Sequence, residues 1–191
     1  MSAPSPVLRI ARNAVMLAFL CVVGMFSLPL MDNVKVSLQL LAVFIIALTA
    51  ASWYDTVIVT GCYLLLGLFL PIYAGFSAGV SPTFGYVISF VVAGPIIYWM
   101  NRIPKIHFIP RMALACLSAM PVVYAIGTGF MMAYLQWDIS KTLLVSVVPY
   151  LPFDAAKIAL AVAIVALLPP SLRGGVKKKK EQTPTEEKGD E

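Results

Sequence analysis

A chain of 191 residues that is 60% hydrophobic, only 12% charged and of mean hydropathy +0.89 is not an ordinary soluble domain, since such domains run at about 45–50% apolar and about 25% charged. At about 20 residues per transmembrane helix the length accommodates roughly five to seven spans and no extramembrane domain large enough for an enzyme. The net charge of +5 is no nucleic-acid signature either, because much of it lies in Lys177, Lys178, Lys179 and Lys180, directly after the last apolar segment.

Residues 1–13 form a short N-terminal segment in which Arg9 and Arg12 precede the first apolar run. Many further runs follow, so the first reads as a retained helix rather than a cleaved signal. Apolar segments lie at 14–30, 36–52, 56–70, 85–100, 112–135 and 154–168, each bounded by charge or by proline and glycine. They predict an all-α integral membrane protein with a six-helix transmembrane domain over residues 14–170, the third and sixth segments being the shortest at 15 residues each. Residues 143–150 are apolar but broken by Pro149 and Pro152. That stretch reads as a loop or half-helix returning into the membrane, which lipid tolerates only where protein or a cavity covers the backbone. Residues 171–191 make a charged, mixed tail with the composition of disorder; its lysine run reads as a topology signal, with an anionic-lipid site as the alternative.

Charges left out of the span assignment fix an orientation. An even span count puts Arg9, Arg12, Arg102, Lys105, Arg111, Arg173, the lysine run and Lys188 on one side, against only Lys35 and Lys141 on the other. The positive-inside rule then places both termini in the cytoplasm of a cell-membrane protein. Trp53, Tyr54 and Asp55 become a tight cytoplasmic turn, Tyr134 and Trp137 mark the outer boundary, and His107 falls in a cytoplasmic loop. Cys21, Cys62 and Cys116 sit singly in apolar runs, without metal-ligand spacing, and read as buried thiols.

Few residues inside the spans can carry chemistry. Gln39, one turn into the second segment, is either a hydrogen bond to a neighbouring helix or a member of a site. The glycine- and proline-rich, uncharged stretch 71–86 is either a lid or an ordinary connection. Ala155, Ala159 and Ala163 recur every four residues along the sixth segment and read as an internal packing stripe rather than a partner surface. Asp154 and Lys157 stand out most: an intramembrane charge costs about 2.5–3.5 kcal/mol even on lenient scales, and i, i+3 spacing puts both on one helical face. Asp154 either caps the helix start and pairs with Lys157, or the two anchor a polar ligand. No nucleophile, metal-ligand or phosphate-cradling motif is present, so neither enzyme activity nor a cofactor or metal is expected.

Four short motifs, Ser37-Leu38-Gln39, Tyr63 to Gly67 leading to Pro71, Pro82-Thr83-Phe84-Gly85-Tyr86, and Leu151-Pro152-Phe153-Asp154-Ala155-Ala156-Lys157, resemble the BioY family in order and spacing. Members of that family are the biotin-capturing membrane subunits (S components) of energy-coupling-factor vitamin importers. The resemblance implies a six-helix S-component bundle with biotin near the outer face, under the loop between the third and fourth helices. Asp154 and Lys157 fall on the family's DxxK motif, and Gln39, Thr83 and Tyr86 join them as ligand-binding positions. A carboxylate such as Asp154 suits the ureido N–H donors, and a cation such as Lys157 suits the valerate carboxylate. Ala14 and Ala18 are similar to the alanine motif that contacts the transmembrane coupling subunit, so that subunit and two cytoplasmic ATPases are implied as partners. The chain departs from the pattern in a shortened stretch from Gly67 to Pro71, a compressed loop from Gly75 to Pro82, and Phe84 and Phe153 in place of glycines. The rival readings are an S-type subunit for another small vitamin or a biotin precursor, and a structural membrane protein in which Asp154 and Lys157 merely pair.

Overall fold

The computed structural model describes residues 6–31, 34–104, 106–169 and 172; Lys105, Arg173, the lysine run and the acidic tail lie outside the described residues. Among those described, seven helices and a two-stranded sheet follow in order: α1 Pro6–Met25, β1 Ser27–Met31, β2 Val34–Ser37, α2 Gln39–Thr49, α3 Trp53–Gly67, α4 Phe84–Met100, α5 Phe108–Leu135, α6 Ile139–Ser146 and α7 Leu151–Leu167. By length and composition α1 and α5 can each cross a membrane, and α6 with α7 makes a third such unit, bent by 46°.

Every residue of α2 is buried. A helix that is apolar on all sides has no face to turn outward and belongs in the middle of a bundle. Accordingly α2 touches α1, α3, α4 and α7, while α4 and α5 share the longest helix pairing around it. In contrast α1 buries only Leu20 and Gly24 and leaves Val7, Leu8, Ile10, Val15 and Val22 exposed. Polar contacts hold it in place: Arg9 pairs with Asp55 at 2.8 Å, Asn13 donates to the same oxygen at 3.0 Å, and Arg12 donates to the Thr49 carbonyl. Asp55 also closes a capping box with Ser52 at the start of α3, which satisfies a backbone donor that lipid could not.

Two expectations change. The first apolar segment, expected to be helical to residue 30, ends as helix at Met25, and the all-α bundle carries a short hairpin there, in which β1 pairs antiparallel with β2 through Ser27–Ser37, Leu28–Val36 and Pro29–Lys35. Pro29 has no N–H to donate to a helix, and β-branched Val34 and Val36 favour the extended form. Hydropathy does not see this, because Phe26, Leu28 and Leu30 continue the apolar run of α1. At its other end α1 begins at Pro6, eight residues before the expected start, since a proline suits the first helical turn and both arginines find partners. The stretch 143–150 takes in the second half of α6 and the break before α7.

Between α3 and α4 the chain is tied down rather than loose. Tyr73 donates its hydroxyl to the Leu64 carbonyl at 2.6 Å, Tyr63 donates to the Ile72 carbonyl at 2.9 Å, and the Gly79 N–H meets the Gly67 carbonyl at 2.8 Å. Gly75 and Gly79 take positive φ of 72° and 76°, which glycine adopts without strain.

The Tyr73 ring lies where a side chain at Gly67 would stand, whereas a Cβ at Gly61 meets nothing. Gly67→Ala is expected to cost about 1–3 kcal/mol as overpacking and to lower the melting temperature of the purified protein in detergent. Gly61→Ala, on the same helix, is expected to be neutral or to gain about 0.5–1 kcal/mol from helix propensity. Equal melting temperatures for the two variants would show that Tyr73 does not clamp the loop to α3.

Candidate functional site

A cavity of about 340 Å³ opens between the helices, lined by Gln39, Leu40, Thr83, Tyr86, Phe90, Tyr124, Ser146, Tyr150, Asp154 and Lys157 among others. Its size is that of a small-molecule site, and its wall is apolar with a few polar points.

α7 supplies the ionised pair. Pro152 sits in its first turn, where the missing N–H costs nothing, and the helix then carries Asp154 and Lys157 one turn apart. Both are buried, at 5% and 8% exposure, and Lys157 Nζ donates to Asp154 Oδ1 at 2.8 Å. Tyr124 on α5 donates to the other oxygen, Oδ2, at 2.6 Å. The aspartate therefore pairs as one reading of the sequence expected, with the side chains of Lys157 and Tyr124 as its partners. Its negative charge near the N-terminal end of α7 also sits favourably against the helix dipole. Lys157 uses one of its three N–H donors in the pair.

Gln39 opens α2, where its backbone N–H meets Ser37 Oγ at 3.0 Å. Its side-chain Nε2 donates to Tyr63 Oη at 2.6 Å. It thus ties α2 to α3 and lines the cavity as well. Tyr86, on the first turn of α4, donates to the Ser146 carbonyl of α6 at 3.2 Å, and its ring fills the space above Gly127. Thr83 is exposed at the N-cap of α4, with Oγ1 3.2 Å from Ser81 Oγ. The five residues singled out in the sequence, on α2, α4 and α7, all line this one cavity.

Ala14 and Ala18 are elsewhere, exposed on α1. Ala155, Ala159 and Ala163, which read as a packing stripe, are exposed on α7; the internal face of that helix is carried instead by Ile158, Ala161, Val162 and Val165. Among the described residues no group of three or more His, Cys, Asp or Glu could hold a metal, and the three cysteines are free, with only Cys116 fully buried.

Tyr124, Tyr150 and Ser146 were not foreseen. Ser146 Oγ is buried on the cavity wall with no hydrogen-bond partner. Tyr124 had one usable signal, a phenol in the middle of a long apolar helix, since a buried Tyr O–H normally has a partner. The partner itself depends on how α5 meets α7, which spacing within α5 does not reveal.

Comparison with known proteins gives one consistent result. A family model described as the BioY family matches residues 1–174. The biotin transporter BioY of Thermotoga maritima is 29% identical over 163 residues, covering 83% of this chain and 94% of that protein. The biotin transporter BioY2 of Lactococcus lactis subsp. cremoris is 29% identical over 155 residues, covering 78% and 83%. The crystal structure of the S-component for biotin from an ECF-type ABC transporter superposes with a TM-score of 0.74 at 22% identity, covering 86% of this chain and 92% of that one.

Removing one member of the buried pair strands the other. Asp154→Asn is expected to cost about 3–5 kcal/mol of ligand-free stability, because the Lys157 charge is left without a counterion in a low dielectric. The double variant Asp154→Asn/Lys157→Met is expected to recover most of that loss. Unfolding by denaturant in micelles measures both; a double variant as unstable as the single one contradicts this account of the pair.

Proposed function

The chain belongs to the BioY family, and from that premise we propose that it is the substrate-capture membrane subunit for biotin uptake, binding biotin in the cavity beside α7 and passing it inward with an ATP-driven coupling module. It is a multi-pass membrane protein and not an enzyme. The observation that carries the reading is the convergence of Gln39, Thr83, Tyr86, Asp154 and Lys157 on one cavity with a single buried ion pair in its wall.

The geometry of the pair bears on how biotin sits. Asp154 and Lys157 touch at 2.8 Å, whereas the valerate chain holds the two polar ends of biotin far apart. One end alone meets the pair. A ureido ring carries an N–H donor and a carbonyl acceptor side by side, and the pair offers an acceptor and a donor side by side. The reading is therefore that the ureido N–H donates to Asp154 and the ureido carbonyl accepts from Lys157, with Tyr124 holding the far carboxylate oxygen. The valerate carboxylate then lies toward exposed Thr83 and the loop between α3 and α4. This revises the division expected from the motifs, which gave each residue its own end of the ligand.

The rest of the proposal concerns orientation and partners. Six crossings are proposed, by α1, α2, α3, α4, α5 and α7, with α6 as a re-entrant half-helix. Arg9, Arg12 and Arg102 gather around the segment from Thr49 to Asp55, and Lys141 lies with Trp137 beyond the C-terminal end of α5. This segregation supports both termini in the cytoplasm, together with the tail from residue 171. The exposure of Ala14 and Ala18 on α1 supports that face as the contact with a transmembrane coupling subunit, which would act with two cytoplasmic ATPases.

Radiolabelled biotin is expected to bind the purified protein saturably. A hydrogen bond to a charged group is worth about 1.5–3 kcal/mol, so Lys157→Ala should weaken binding roughly 10- to 100-fold. The double variant Asp154→Asn/Lys157→Met should stay folded and bind still more weakly. Biotin amide, with its carboxylate charge removed, should compete almost as well as biotin. Unchanged affinity in the double variant would sink the site; failure of the amide to compete would return Lys157 to the valerate end.

A further inference from the structure

At the end of the molecule where α4 gives way to α5, positive charge accumulates without a counterion among the described residues. The connecting sequence Asn101-Arg102-Ile103-Pro104-Lys105-Ile106-His107 contains no acid, and neither does the first turn of α5. Arg111 is 7% exposed, its guanidinium lies back over the ring of Phe108, the first residue of α5, at 5.8 Å, and its Nε–H is buried without a hydrogen-bond partner. A cation placed at the positive end of a 28-residue helix is unfavourable by itself. Arg102 adds a second guanidinium, stacked on Tyr98 at 3.4 Å and spread over the carbonyls of Ala50 and Ala51 at 3.4 Å. Burial lowers its pKa from the ordinary value, Tyr98 opposes that shift and the charge of Arg111 adds to it. Neither forms an ion pair among the described residues.

We propose that this corner, formed by Arg102, Arg111 and the N-terminus of α5, binds the phosphate of an anionic phospholipid headgroup. A planar guanidinium matches phosphate oxygens in pairs, and a helix N-terminus adds its dipole. The surroundings select a lipid over a soluble anion: Trp99, three residues before Arg102, and Ile109, two residues before Arg111, are 63% and 59% exposed. Such side chains suit an acyl boundary, with the phosphate at headgroup level and the apolar side chains beneath it.

The test uses the full chain, stripped of lipid in a neutral detergent and melted with phosphatidylglycerol, phosphatidylcholine or inorganic phosphate. Phosphatidylglycerol is expected to raise the melting temperature by about 5 °C over phosphatidylcholine, and inorganic phosphate to give no such rise. Arg111→Gln and, independently, Arg102→Gln are expected to lose this increment while keeping a cooperative transition in phosphatidylcholine. Lys141→Gln, which removes one charge at the other end of α5, is expected to keep it. Equal stabilisation by phosphatidylcholine or inorganic phosphate overturns the proposal, as does an increment that survives both arginine substitutions or disappears with Lys141→Gln.

Discussion

Lipid offers no hydrogen bonds, so every polar group within the span must be satisfied by the protein itself. That constraint shapes this molecule around α2. Its eleven buried residues are almost entirely apolar, and the polar contacts that fix it lie at its two ends. At one end Arg12 donates to the Thr49 carbonyl and Asn101 to the Leu48 carbonyl, while beside them Arg9 and Asn13 tie α1 to Asp55 of α3. At the other, Gln39 reaches Tyr63. The middle of the bundle is then free to pack by shape alone, as Phe44, Leu48, Val43 and Ile97 do in full burial.

The Gln39 end also joins the cavity to its surroundings. Gln39 donates to Tyr63, and Tyr63 donates onward to the Ile72 carbonyl in the connection between α3 and α4. The same connection contributes Ala74 to the cavity wall and is pinned to the end of α1 by the Gly75 N–H on the Met25 carbonyl at 3.0 Å. Hydrogen bonds in such a series polarise one another in a low dielectric. Gln39 is therefore joined to the loop by two hydrogen bonds in series.

How much of this was legible depended on whether the signal was local. Apolar length and charge gave the membrane, the approximate helix order and the i, i+3 pair, because each is a property of a short stretch of chain. The order and spacing of the motifs picked out Gln39, Thr83 and Tyr86, which line the same cavity as Asp154 and Lys157. What stayed hidden was relational. The β1–β2 hairpin depends on Pro29 facing Lys35, the start of α1 depends on Asp55 receiving Arg9 forty-six residues away, and the place of Tyr124 depends on α5 meeting α7. The alanine stripe on α7 failed for the converse reason: small residues allow close approach, but they do not say on which side a neighbour stands.

The ion pair at Asp154 and Lys157 has a further consequence for a charged ligand. In the buried wall the two side chains already neutralise one another, so the cavity has no net charge to offer a carboxylate there. A biotin anion drawn against the pair by its carboxylate would compete with Asp154 for the lysine and leave two negative groups beside one positive, an arrangement that a low dielectric penalises. A neutral ureido group adds one donor and one acceptor and leaves the charge count unchanged. On electrostatic grounds the pair is better matched to the ring than to the acid, and the ligand's charge is best left at the mouth, where water still screens it.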